Sequence, residues 1–184
     1  MLSDLQKRKI GRQFKMHNLS GDGRLSHEDF ELAMRNLACE FKIAPDSETF
    51  AQLKTMYDEQ WNQTQQFADP NGDGRITLEE WFAYWDNTLN TPGVLEMLVV
   101  GYNQAFFAVF DLVDPDGPKD CFNAERWGKY FVAHSQPFQD GVIAVKSIDR
   151  DGSGLVATEE CMRATKEFFG DDPNAPGNAL FGPY

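Results

Sequence analysis

The segment DPNGDGRITLEE (residues 69–80) sets side-chain oxygens at its first, third and fifth positions, Asp69, Asn71 and Asp73. Gly74 is sixth, the aliphatic Ile76 is eighth and the acid Glu80 is twelfth. The same grammar returns in NLSGDGRLSHED (18–29) and in DRDGSGLVATEE (149–160). Each copy is followed directly by an apolar or thiol side chain, Phe30, Trp81 or Cys161. Self-similarity of this kind marks a repeated supersecondary unit.

The spacing has a physical reason. A hard cation of calcium's size takes six to eight oxygens at about 2.3–2.6 Å. A tight turn aims alternate side chains inward only if its middle residue tolerates a backbone conformation open to glycine. The candidate ligands are therefore Asn18, Ser20, Asp22 and Asp29 in the first loop. In the second they are Asp69, Asn71, Asp73 and Glu80, and in the last Asp149, Asp151, Ser153 and Glu160. The seventh residues, Arg24, Arg75 and Leu155, lend their backbone carbonyls, so the two arginine side chains are no obstacle. This is the EF-hand signature, closely matched at 69–80 and at 149–160, where serine replaces the fifth acid.

The flanks predict helices. Phe30, Met34, Leu37 and Phe41 recur at three- and four-residue spacing, as do Phe50, Leu53, Tyr57, Trp61 and Thr64. Trp81, Trp85 and Leu89 continue the pattern. So do Leu98, Tyr102, Ala105, Phe106, Val109 and Phe110, and then Phe138, Val142, Val145 and Ile148. The expected fold class is all-α: four EF-hands in one compact domain, with short β contacts between paired loops. Residues 1–90 form the first pair of hands, 94–169 the second, and 170–184 a tail rich in Pro, Gly and Asn that packs on the core. Leu25 is expected to pair with Ile76. Val156 needs a partner, and Cys121 or Phe122 is available in a fourth, damaged repeat near 114–126.

The loops differ in charge. The second and last offer three carboxylates each, the first only two. Asp29 is a methylene shorter than glutamate, which favours Mg2+ at the first site relative to the others. In DPDGPKDCFNAERW (114–127), setting Glu125 twelfth makes Lys119 sixth, where glycine is needed. Setting Phe122 eighth makes Arg126 twelfth, a cation where the cage should close. Either register is a poor metal site, so this loop is expected to be structural.

Composition narrows the partners. The 184 residues carry 29 acids against 17 bases, a net charge of −12. That excess argues against nucleic acid, which needs a basic face, and against an anionic membrane surface. It is compatible with divalent cations. With 41% hydrophobic residues the chain can build a core. No signal peptide is expected at the start and no integral membrane segment anywhere, LEMLVVGYNQAFFAVF (95–110) being broken by Glu96, Asn103 and Gln104. Cys39, Cys121 and Cys161 form no CxxC pair, so they are read as reduced thiols in a cytoplasmic protein.

The sequence resembles the sarcoplasmic calcium-binding proteins and their calexcitin-like relatives. The resemblance rests on the opening LSDLQKRKIGRQF, the tryptophan-rich block MYDEQWNQTQQFADPNGDGRITLEEWFAYW and the closing GNALFGPY. It implies a four-hand fold with one degenerate loop that binds Ca2+ and Mg2+ in the cytosol through loops I, II and IV. A buffer is the first expectation, since 6 Met against 15 Phe and 4 Trp suit hands packed around a shared core better than a methionine-rich target groove. A calexcitin-type sensor is the alternative. A coelenterazine-binding carrier, whose architecture is similar, is a further one. It would need a cavity, and His134 is the only histidine placed to line one; a partly exposed position at a helix end is the expectation for it. No GxSxG elbow, phosphate-binding loop or HExxH indicates an enzyme.

Overall fold

The computed structural model describes all 184 residues. The first helix, α1 (Asp4–His17), starts at Ser3, whose hydroxyl accepts from the Gln6 amide while the Gln6 side chain accepts from the Ser3 amide. This reciprocal bonding satisfies two of the donors that a helix start leaves open. The chain then runs through β1 (Arg24–Ser26), α2 (His27–Glu40), α3 (Glu48–Ala68), β2 (Arg75–Thr77) and α4 (Leu78–Asn90). A left-handed Gly93 (φ 80°) turns it into α5 (Val94–Val113). The second half repeats the order with β3 (Cys121–Asn123), α6 (Ala124–Ala133), α7 (Phe138–Ile148), β4 (Leu155–Ala157) and α8 (Thr158–Phe169). A 3-10 turn, Pro176–Ala179, follows.

Two antiparallel ladders join the hands in pairs. In β1–β2, Leu25 faces Ile76; in β3–β4, Phe122 faces Val156. All four side chains are buried, so the eighth position of each loop carries it into the core. The two pairs share one contiguous core of 35 buried hydrophobic residues. Helix α2 packs on α6, α1 on α4 and α8, and α5 on α3, α4 and α8. Trp85 of α4 stacks on Phe169 of α8 with ring centroids 4.0 Å apart. In the tail, Leu180 and Phe181 are buried, and the Trp127 indole donates to the Leu180 carbonyl at 3.2 Å.

Helix α5 differs from its sequence reading in two ways. Its 20 residues, with a mean hydropathy of 1.3 over the most apolar 18, make it long and apolar enough to cross a membrane by length and composition. The polar residues do not break it: Asn103 is buried and donates to the Val99 carbonyl at 2.6 Å. Its most buried face is Val99, Asn103, Phe107, Phe110 and Val113, while Ala105 is exposed. Phe138, at the start of α7, is also exposed, although its ring lies over Gly128 of α6. Of the three free cysteines, Cys121 and Cys161 are buried and Cys39 is exposed.

Candidate metal centres

In the second loop the chain turns tightly twice. Gly72 and Gly74 both take left-handed backbone, at φ 71° and 78°. The same pair recurs at Gly21 and Gly23 and at Gly152 and Gly154. The sequence reading found the sixth-position glycine and missed the fourth, which is equally regular. Asp69 ends α3 and gathers the turn, accepting from the amides of Gly72 (2.8 Å) and Gly74 (3.0 Å). Burial works to raise its pKa, and hydrogen bonds from Gln65, Gly74 and Gly72 outweigh that, leaving it below the ordinary carboxylate range. Glu80, third residue of α4, bridges the ends of the loop. One oxygen accepts from the Thr77 amide at 2.8 Å, and the other accepts from the Asn71 side chain at 2.7 Å.

The other two loops share this bridge. Asp29 accepts from the Ser26 amide (2.9 Å) and the Ser20 amide (2.8 Å). The shorter acid spans the loop by sinking inward, and Asp29 is buried where Glu80 and Glu160 are half-buried. Asn18 accepts from the Gly21 amide, and Asp22 from that of Arg24. The Arg75 side chain reaches Asp22 across the ladder at 3.6 Å, while its amide donates to Asp73. In the last loop Glu160 accepts from the Arg150 amide at 2.7 Å. Asp151 accepts from the Ser153 amide, and Ser153 donates its hydroxyl to the Leu155 carbonyl.

Convergence is greatest in this last loop. Carboxylate oxygens of Asp149, Asp151 and Glu160 lie within 4.8 Å of one another. One oxygen of Asp149 is buried with no hydrogen-bond partner. Unpaired, crowded carboxylate oxygens are costly alone and suited to a divalent cation. Asp69, Asp73 and Glu80 are not gathered so closely, since Asn71 takes one oxygen of Glu80.

The third loop is built differently. Pairing of Phe122 with Val156 fixes Phe122 as its eighth residue and Arg126 as its twelfth. Asp114 nevertheless ends α5 as the leading acids end their helices. The loop thus runs 114–126 with one residue more than the others, and each sequence register described half of it. Asp120, at φ 52°, supplies the left-handed turn that glycine makes elsewhere. The Arg126 side chain is 2% exposed and lies inside the loop.

A family model described as EF hand matches residues 66–81, which hold the second loop and its turns. That segment is an EF hand, and the fold is the EF-hand fold. Over 67 residues it is 33% identical to a sarcoplasmic calcium-binding protein of Scylla paramamosain. That stretch covers 36% of this chain and 35% of the relative, so the match spans about a third of the relative's length. Solved structures share the whole fold. A coelenterazine-binding protein from Renilla muelleri, in a calcium-loaded apo form, has a TM-score of 0.78 at 20% identity, with both chains fully covered. A sarcoplasmic calcium-binding protein from amphioxus has a TM-score of 0.71 at 20% identity, also with full coverage. A calcium-binding protein of Streptomyces coelicolor has a TM-score of 0.71 at 22% identity, covering 97% of this chain and 99% of its own.

Between the two pairs of hands lies a cavity of about 30 Å³ lined by His17, Tyr57, Tyr102, Tyr130 and His134 among others. His134 is buried, not partly exposed as its place after α6 suggested. Its ring faces His17 at 5.2 Å, and each histidine bonds its Nδ1 to the carbonyl four residues back, Tyr130 or Gln13, at 2.8 Å. Burial lowers the pKa of both. No local pattern signals this meeting, because the two rings lie 117 positions apart in the chain.

Proposed function

We propose that this EF-hand protein is a cytoplasmic Ca2+/Mg2+ buffer that takes up ions at loops I, II and IV. The observation that carries the reading is the convergence of Asp149, Asp151 and Glu160 around a buried, unpaired oxygen. A bound cation would relieve the repulsion of these carboxylates, and three divalent ions would halve the net charge of −12. In each loop the leading residue, the third and fifth side chains, the seventh carbonyl and the bridging twelfth acid would hold the ion: Asn18, Ser20, Asp22, Arg24 and Asp29; Asp69, Asn71, Asp73, Arg75 and Glu80; Asp149, Asp151, Ser153, Leu155 and Glu160. The shared core and the stacking of Trp85 on Phe169 support a buffer over a sensor, since opening a groove would part these surfaces.

Calorimetric titration with Ca2+, with and without Mg2+, tests the reading. Three ions are expected, with the first loop the most Mg2+-tolerant. Glu80→Gln and Glu160→Gln should each remove one ion from the stoichiometry, and Asp29→Glu should shift loop I toward Ca2+. Absence of any Ca2+ uptake would overturn the proposal. A large Ca2+-dependent rise in binding of an apolar dye would favour the sensor. The carrier reading draws on the likeness to the coelenterazine-binding protein and on the His/Tyr lining of the cavity. A volume of about 30 Å³ opposes it, because that space suits a water molecule and not a chromophore.

A further inference from the structure

The geometry points to Arg126 as the resident cation of the third loop, a guanidinium tethered where the other loops would hold an ion. Four donor contacts define it. Nε donates to Oδ2 of Asp114 at 2.8 Å, and Nη2 to the Asp114 carbonyl at 2.8 Å. Nη1 donates to the Pro118 carbonyl at 2.5 Å and the Cys121 carbonyl at 3.0 Å. Counted from Asp114, Pro118 is the fifth residue. Cys121, directly before the eighth-position Phe122, matches Arg75 and Leu155, the seventh residues of loops II and IV. The guanidinium therefore draws on the first, fifth and seventh positions, three of those a divalent ion would use. Asp111 stands 3.8 Å away as a second counter-charge.

Two further observations fit. A Cβ at Gly117 would collide with Asp114 and with Nη2 of Arg126, so this glycine leaves the room the side chain fills. The extra residue of the loop lengthens the ring that must enclose a planar fork larger than an ion. Arginine keeps its charge at every physiological pH and bonds through a rigid fork, which makes it a permanent substitute. The third hand is thus closed at any metal level. It offers β3 as a preformed partner to β4 of the fourth loop, and for that consequence alone the inference rests on metal uptake there.

Amide hydrogen exchange on the full chain tests the assignment. In chelator, amides of 116–123 in the wild type should stay as protected as with Ca2+, within twofold, while those of loops I and II exchange at least tenfold faster. Arg126→Gln and Gly117→Ala should each bring loop III to the unprotected behaviour, with Arg126→Lys closer to Gln than to wild type because it lacks the fork. Arg126→Gln should also weaken Ca2+ at loop IV by about tenfold, a common size for coupling between sites, and leave loops I and II unchanged. Loss of protection in chelated wild-type loop III equal to that of its neighbours would overturn the assignment, as would full protection in Arg126→Gln. Should a variant fail to fold, the wild-type comparison decides alone. If the wild type takes up no Ca2+ yet loop III stays protected, the buffer reading fails and this one stands.

Discussion

His134 has lost almost all contact with water, and desolvation, reinforced by the neighbouring His17, lowers its pKa from 6.5 to about 3. The unfolded chain takes up a proton near pH 6.5 that the folded chain refuses until about pH 3. Stability from this group is therefore complete above pH 6.5 and lost as pH falls toward 3. At pH 5 the loss is about 2 kcal/mol. Denaturant unfolding in chelator at pH 7 and pH 5 should show a fall in stability that is about 2 kcal/mol smaller in His134→Phe, the loop carboxylates cancelling in the comparison. An equal fall in both proteins would show that His134 is protonated inside the fold. Individual residues were unevenly legible in the sequence. Loop ligands announce themselves because every donor lies within twelve positions. Arg126 could be placed twelfth, yet only the folded loop shows its head enclosed by carbonyls. Lys9 carries no mark in the sequence that sets it apart from the other bases, yet it is buried, donating to the Gly170 carbonyl at 2.9 Å and to Asn178 at 2.7 Å.

Among the elements, the ladders do the coupling. Three-residue strands are too short to persist alone, so β1–β2 exists because Leu25 and Ile76 are carried into the core from both sides. Ile76→Ser removes that anchor and places a hydroxyl where no water reaches. It should cost about 2–4 kcal/mol in urea unfolding and make loops I and II bind independently in calorimetry. Retained cooperativity would place the coupling elsewhere. Hands I, II and IV were legible because helix periodicity and loop spacing agree there. The third was not, since one inserted residue shifts its two ends into different registers and only the pairing of Phe122 with Val156 resolves them. Helix α5 misled for another reason. It touches neighbours on several sides, so its apolar residues do not reduce to one stripe.

Across the whole molecule, aromatic stacking ties the two pairs of hands together. Trp85 is fully buried against Phe169, and Trp85→Ala should cost about 3–5 kcal/mol, read as a lowered thermal midpoint with and without Ca2+. The wild type should melt well above its own chelated form, since an ion that binds only the folded state stabilises it. The tail is the second tie. Phe181 meets Phe168 edge to face at 4.8 Å, and Leu180 receives the Trp127 indole. Phe181→Ala should cost about 3–5 kcal/mol and raise binding of an apolar dye. That tails of this composition seat an aromatic was open to inference; which helices receive it was not, because the partners lie in α6 and α8. The seating of Leu180 and Phe181 also bears on synthesis. A chain emerging vectorially from the ribosome exposes both pairs of hands before this plug is made. Until then Trp127 and Phe168 lack the part of their cover that Leu180 and Phe181 supply, and the nascent protein must either wait with that edge open or be shielded by something else.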